Sequence, residues 1–70
     1  MDVIFTLHAK HKIKKRNLTE QEVIESIKNS DKTIKKHGKL YYQKNLGRGT
    51  IEIVCKAIEN NIKVITVYWI

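Results

Sequence analysis

The 70-residue chain is predicted to fold as a small α+β domain, and three patterns in its sequence carry that prediction. A β-branched and aromatic run over residues 3–7 is typical of a strand. Apolar residues then recur every three or four positions across residues 8–29, which indicates two helices. From residue 32 onward the apolar period changes to two, which indicates successive strands. The predicted order is β-α-α-β-β-β-β, with a helical hairpin packed on one face of an antiparallel sheet.

The first helix is predicted over residues 8–16, where Ala9 and Ile13 lie four positions apart and would face the core. Asn17 follows this helix. Asparagine tolerates the left-handed backbone that commonly ends a helix, so we expect the first helix to stop there.

The second helix has the clearest start signal in the chain. Thr19 is followed three residues later by Glu22, which is the spacing of a capping box. Leu18 can pack against Val23 one turn into the helix, and the apolar stripe continues to about Asn29. The two helices are therefore expected to form a hairpin that buries one stripe.

Four further strands are predicted from the alternation, at residues 32–36, 40–46, 51–58 and 62–70. The turns between them are placed at residues 37–39, 47–49 and 60–61, which contain glycine or asparagine. The last strand is apolar on both faces. It is expected to lie in the middle of the sheet or to meet a partner with its outer face.

Length and composition exclude several classes of protein. A chain of 70 residues buries only about 60% of its unfolded surface, so a multidomain enzyme is excluded. One cysteine excludes a disulfide scaffold and a cysteine-based zinc site. No apolar run reaches the roughly 18 residues of a membrane span, and residues 1–7 lack the basic start of a signal peptide. Residues 1–70 are thus predicted to be a single basic domain in the cytoplasm, with neither a cofactor nor a membrane partner.

The net charge of +7 is concentrated in two stretches of the chain that contain no acid. Residues 8–16 carry five fixed positive charges and two histidines, and residues 32–48 carry six positive charges. If the fold brings these stretches together, they form one basic groove that attracts RNA or another polyanion. The alternative is a solvated lysine face that keeps a small protein soluble.

The first basic stretch also contains a candidate catalytic set. RNA cleavage by 2′-hydroxyl attack needs a base, an acid and cations that stabilise the phosphorane charge, and no metal is required. His8, Lys12 and Arg16 recur every four residues and would form a ridge on one helix face. Alternatively, the ridge is only a solvent-exposed face of the helix. His8 could likewise have a structural role, with a hydrogen bond to a backbone group. No metal site is predicted.

Five further residues are predicted to contact nucleic acid: Lys15, Lys35, Lys36, Tyr41 and Arg48. Tyr41 alternates with Tyr42, so its ring is expected on the face opposite the core, where it could stack on bases. Arg48 lies between two glycines at a turn, where exposed cations often touch ligands. The alternative is that these glycines serve only the turn.

The sequence resembles a widespread family of small prokaryotic proteins. The similarity lies in the run from His8 to Thr19, in Gly-x-Leu-Tyr-Tyr at 38–42 and in Val-Ile-Thr-Val-Tyr at 64–68. The family pattern for the first run is His-Ala-x-x-Arg-Met/Leu-x-x-Arg-Gly-Ile-Ser/Thr, so Lys12 stands where arginine is usual and Asn17 where glycine is usual. The family is catalogued as a domain of unknown function and is similar to the BrnT and RelE-type toxins of toxin–antitoxin systems.

This resemblance implies a RelE/BrnT-like fold, ribonuclease activity and an acidic antitoxin as partner. We therefore predict a toxin-type protein that acts as a metal-independent endoribonuclease and binds RNA through its basic groove. One alternative is a non-catalytic nucleic-acid-binding module. Another is a structural or partner-binding domain without enzymatic activity, including a homodimer formed through a sheet edge or the C-terminal strand.

Overall fold

A computed structural model describes residues 2–70 and confirms the predicted order of elements. The elements are β1 (Val3–Phe5), α1 (Leu7–Lys15), α2 (Glu20–Lys28), β2 (Lys32–Lys36), β3 (Lys39–Asn45), β4 (Thr50–Ile58) and β5 (Asn61–Trp69). The five strands form one sheet in the order β1-β5-β4-β3-β2. The last strand therefore lies inside the sheet, between β1 and β4, as its apolar faces predicted.

The prediction of an antiparallel sheet is wrong for one pair of strands. β1 runs parallel to β5, with Val3 opposite Ile62 and Phe5 opposite Val64, so the sheet is mixed. The other three pairings are antiparallel. β4 occupies one side of β5 and leaves the other side free. There β1 pairs with β5, and Val3 and Phe5 pack against the core.

Thr6 ends β1 and begins α1, which explains why the strand is shorter than predicted. Its hydroxyl accepts the N–H of Ala9 at 3.0 Å, as an N-cap does. At the other end, Asn17 has φ +59°, and the N–H of Leu18 donates to the Ile13 carbonyl at 2.9 Å. This six-residue hydrogen bond is the Schellman arrangement, and the prediction that Asn17 ends the helix is confirmed.

The predicted capping box of α2 is confirmed. The N–H of Glu22 donates to the Thr19 hydroxyl at 3.0 Å, and the N–H of Thr19 donates to the Glu22 carboxylate at 3.1 Å. Two donors that a helix start leaves without partners are thereby satisfied. Ser26 is buried on the same helix and donates its hydroxyl proton to the Glu22 carbonyl at 2.7 Å.

Two tight turns fix the register of β2 with β3 and of β4 with β5. His37 and Gly38 both have positive φ, +54° and +74°, which is the backbone of a type I′ hairpin turn. The turn between β4 and β5 is Glu59–Asn60, one residue earlier than predicted, because Ile58 pairs with Asn61. Glu59 carries the positive φ of this turn, +54°.

Both helices pack on the same face of the sheet, and the core lies between the helices and the sheet. The buried core residues are Ala9, Ile13, Leu18, Val23, Ile27, Ile51, Ile53, Cys55, Ile62, Val64 and Val67. Tyr42 also packs against this core, as predicted. We call this side of the sheet the helix face and the opposite side the open face. Among residues 2–70, neither helix is long and apolar enough to cross a membrane.

Candidate nucleic-acid interface

Four lysines lie side by side across the open face, one from each of β2, β3, β4 and β5. Lys36 pairs with Lys39 across the first turn, and Lys56 pairs with Lys63 across the last. Lys39 and Lys56 each lie one position beyond the Leu40–Cys55 pair, so they are also neighbours. We call these four residues the lysine row. Because adjacent strands are about 4.8 Å apart, the row spans roughly 14 Å at the backbone.

The lysine row carries a concentrated positive charge. Three of its members are exposed and Lys63 is half-buried. The two ion pairs found in residues 2–70, Lys44–Asp31 and Arg48–Glu22, do not include any member of the row. Four ammonium groups in a line repel one another, and an anion that lies along the line relieves this repulsion.

Two tyrosines and one carboxylate lie on the open face, further along the strands from the lysine row. The Tyr68 hydroxyl donates to Glu52 at 3.0 Å, and the Gln43 amide donates to the other carboxylate oxygen at 3.5 Å. Partial burial and the Glu52 charge raise the pKa of Tyr68, with a smaller contribution from Tyr41 nearby. Tyr68 therefore stays protonated at neutral pH and remains a donor to Glu52.

These side chains line an open cavity of about 360 Å³. Its walls are formed by Ile34, Lys36, His37, Tyr41, Glu52 and Tyr68. The cavity thus combines two aromatic rings, a cation, an imidazole and a carboxylate. Aromatic rings can stack on bases, and the polar groups can bind base edges or phosphate.

The predicted catalytic ridge lies on the other side of the sheet. Ala9 and Ile13 are buried against the helix face, which places α1 there and away from the lysine row. His8 is exposed, whereas Lys12 and Arg16 are half-buried. The expected single groove therefore fails for Lys36 and Lys39, because α1 buries its apolar residues on the helix face and these lysines lie on the open face. Arg48 of the second stretch, in contrast, does lie beside the end of the first.

Arg48 has structural partners instead of lying free on a mobile tip. Its guanidinium donates to both carboxylate oxygens of Glu22, at 2.8 and 3.1 Å, and to the Asn17 carbonyl at 3.2 Å. It also lies 5.6 Å from the centre of the Trp69 ring. The Trp69 indole in turn donates to the Arg16 carbonyl at 3.1 Å. This network links the loop between the helices to the end of β5.

The other predicted contact residues are divided between the two faces. Lys36 and Tyr41 lie on the open face, where both line the cavity. Lys35 pairs with Leu40 and so lies on the helix side of the edge strand β2. Lys15 is exposed near the end of α1. The structure therefore brings together two of the five predicted contact residues.

Comparison with known protein families matches residues 5–69 to a domain of unknown function, DUF4258. The chain belongs to the DUF4258 family. No curated protein and no solved structure matches the chain. The family assignment covers both helices, strands β2 to β5 and the last residue of β1.

Three members of the lysine row and four residues of the cavity in this DUF4258 domain were not predicted from the sequence as site residues: Lys39, Lys56, Lys63, Ile34, His37, Glu52 and Tyr68. The lysines are far apart in the chain and become neighbours only through the register of the strands. A signal was nevertheless present, because each lysine pair is symmetric about a two-residue turn. Knowing the two turns would have predicted both pairs.

The described part of the DUF4258 domain contains no group of three or more histidine, cysteine or acidic side chains arranged to hold a metal ion. Cys55 is fully buried, and burial raises the pKa of its thiol to about 12. A thiol with this pKa is protonated at neutral pH and is a poor nucleophile.

Proposed function

We propose that this DUF4258 domain binds RNA on its open face. The observation that supports the proposal is the lysine row beside Tyr41 and Tyr68 on one continuous surface. Proteins that bind single strands commonly combine a positively charged track for phosphates with aromatic rings for bases. The α1 surface offers a weaker form of this combination, since residues 8–16 contain cations and two histidines but no tyrosine, tryptophan or phenylalanine.

The test is the salt dependence of binding to a fluorescent single-stranded RNA, followed by anisotropy. Four neutralised phosphates predict that log affinity falls with log salt with a slope of about −3. Replacing the lysine row by glutamine at all four positions removes most of the affinity and flattens this slope. The matched control replaces four lysines of α1 by glutamine, so that its net charge falls by the same amount as in the lysine-row variant: Lys10, Lys12, Lys14 and Lys15.

Greater loss in the α1 variant would overturn the assignment to the open face and favour the predicted His8–Lys12–Arg16 ridge. Equal and small losses in both variants would overturn the assignment to the open face, and failure of the wild-type protein to bind RNA would reject RNA binding as the function. In that case a structural or partner-binding role would remain, with an acidic protein as the occupant of the same positive surface.

The second candidate function is the predicted toxin-type endoribonuclease. It is favoured by the cavity on the open face, which collects His37, Glu52, Tyr68 and Lys36 beside the row. In this scheme the scissile phosphate lies over the cavity, between Lys36 and Glu52, instead of along the lysine row. Glu52 takes the proton of the 2′-hydroxyl, and the 2′-oxygen bonds to phosphorus. His37 protonates the departing 5′-oxygen while Lys36 stabilises the phosphorane charge. The products are a 2′,3′-cyclic phosphate and a 5′-hydroxyl end.

Cleavage is tested by incubating the purified protein with RNA in the presence of EDTA. We expect cleavage to persist in EDTA and to be lost in His37→Ala and in Glu52→Gln. His8→Ala combined with Arg16→Ala tests the ridge predicted from sequence in the same assay. RNA that stays intact with the wild-type protein, together with normal cell growth on expression, would reject the enzyme and leave RNA binding as the function.

A toxin of this kind would be controlled by an acidic antitoxin that covers the lysine row. Such a partner should release bound RNA when it is added to the complex. Release by an acidic protein encoded beside this chain, and not by bovine albumin at the same concentration, would support the toxin interpretation.

A further inference from the structure

We propose that the open face selects single-stranded RNA by base identity, and that Glu52 is the residue that makes the selection. In this arrangement the sugar–phosphate backbone follows the lysine row across the strands. The bases lie over Tyr41 and Tyr68, and a base with an exocyclic amino group, such as cytosine, donates to Glu52. This inference rests on the proposed RNA binding and adds the substrate class and its orientation.

The charges on the open face determine where the backbone can lie. Glu52 is the only acidic residue in the five strands, and it lies on β4 four residues from Lys56. At about 3.4 Å per residue, this places Glu52 roughly 14 Å from the row along the strand. A carboxylate repels phosphate, whereas the row attracts it. The backbone therefore binds along the row, and the bases extend toward Glu52.

The two tyrosines lie where the bases of such a strand would fall. Tyr41 follows Lys39 by two residues on β3, so the two side chains share a face about 7 Å apart. Tyr68 lies beyond it in the same cavity and is directly opposite Glu52 on the neighbouring strand. A base that stacks on these rings presents its edge to the carboxylate between them.

The hydrogen bonds around Glu52 hold it as an acceptor. Tyr68 donates to one carboxylate oxygen and Gln43 to the other. A carboxylate has about four lone-pair positions, so each oxygen can accept a further hydrogen bond. Carboxylates accept from the N4 amino group of cytosine, which is a specific contact in nucleic-acid recognition. Uracil presents a carbonyl oxygen at the same position, and this oxygen is repelled.

The same arrangement excludes double-stranded RNA. In an A-form helix the bases are stacked on each other and their pairing edges are occupied, so neither the tyrosines nor Glu52 can reach them. The phosphates of a duplex can contact the lysine row, but its bases make no contact with the open face. We therefore expect a hairpin duplex to bind more weakly than a single strand of equal phosphate number.

The experiment compares cytidine and uridine hexamers by fluorescence anisotropy at one salt concentration, with a hairpin duplex as a third ligand. Both hexamers are pyrimidine strands with the same charge, so their difference reports the base edge. We expect the cytidine hexamer to bind about tenfold more tightly than the uridine hexamer. Glu52→Gln should bring this ratio close to one, because it removes the anionic acceptor.

Glu20→Gln is the matched control, since it removes the same charge from the exposed start of α2 and should leave the ratio unchanged. Tyr68→Phe is a second test that keeps the aromatic ring but removes the hydroxyl that holds Glu52, and it should lower the ratio. Circular dichroism of each variant establishes that the sheet is intact.

The outcomes separate this inference from the proposed function. Equal affinity for the two hexamers, or a ratio that survives Glu52→Gln, overturns the inference while the salt-dependent binding stands. A duplex that binds as tightly as the single strands also overturns it. Failure of every RNA to bind overturns the proposed function and the inference together.

Discussion

At the scale of single residues, Arg48 shows how a cation that looks free in the sequence can serve the fold. Its guanidinium bonds to Glu22 and to the Asn17 carbonyl and lies over Trp69. Glu22 is also the last residue of the capping box, so one carboxylate serves both a helix start and an ion pair. Gly49 allows the Trp69 ring to pack closely against the backbone, because a Cβ added there would lie 2.9 Å from the ring.

The Arg48–Glu22 pair predicts a pH-dependent contribution to stability. The hydrogen bond from Arg48 lowers the pKa of Glu22 in the folded protein below its ordinary value of 4.5. The unfolded state therefore binds a proton more readily, and the stabilisation is present at neutral pH. It is lost as the pH falls below 4.5 and through the folded pKa.

Arg48→Met tests this prediction because methionine keeps much of the side-chain length without the charge. We expect the midpoint of thermal unfolding to be lower in the variant than in the wild type at pH 7. The difference should shrink as the pH falls below 4.5 and through the folded pKa of Glu22, because a protonated carboxyl no longer pairs with Arg48. A difference that is constant with pH would assign the effect to the Trp69 and Asn17 contacts alone. Because the Arg48 side chain is 50% exposed and the Glu22 side chain 30% exposed, water and ions reach the pair, and added salt should also reduce the difference at pH 7.

At the scale of elements, local signals in the sequence were reliable wherever a backbone hydrogen bond depends on a particular side chain. Thr19 and Glu22 form the predicted cap, and Asn17 ends α1 as predicted. The parallel pairing of β1 was not predictable in the same way, because no local pattern distinguishes a parallel neighbour from an antiparallel one in a three-residue strand. The site was missed for a related reason, since its four lysines meet only through strand register.

The end of α1 gives a prediction for the connection between the helices. Asn17 has φ +59°, which costs most residues about 1–2 kcal/mol. Asn17→Ala should therefore destabilise the protein by about 1 kcal/mol, whereas Asn17→Gly should be neutral or slightly stabilising. Urea denaturation of both variants measures these changes in the free energy of unfolding. Both variants keep the backbone carbonyl of residue 17 that accepts a hydrogen bond from Arg48. Equal destabilisation by alanine and glycine would mean that the asparagine side chain itself matters.

At the scale of the whole molecule, the sheet separates two positively charged surfaces. α1 carries one on the helix face, and the lysine row carries the other on the open face. The net charge of +7 was visible in the sequence, but its division between two faces depends on which apolar residues each element buries. This division makes the two surfaces separately testable by variants of equal net charge.

Cys55 gives a direct measure of global stability. Its side chain is fully buried at the centre of the sheet, and burial raises its pKa to about 12. We expect no reaction with a thiol-alkylating reagent in the native protein except through unfolding. The alkylation rate should follow the unfolding equilibrium as urea is added. Rapid alkylation in buffer would show that β4 opens locally.

The parallel pairing of β1 with β5 also has a kinetic consequence. Residues 3–5 meet residues 62–64, so this contact closes a loop of almost the entire chain. Closing so long a loop costs more entropy than forming the hairpins, each of which is local in the chain. The antiparallel strands can therefore assemble early, while β1 has to wait until β5 is in place. Of the five strands, the one that is synthesised before the others is thus the last to find its neighbour.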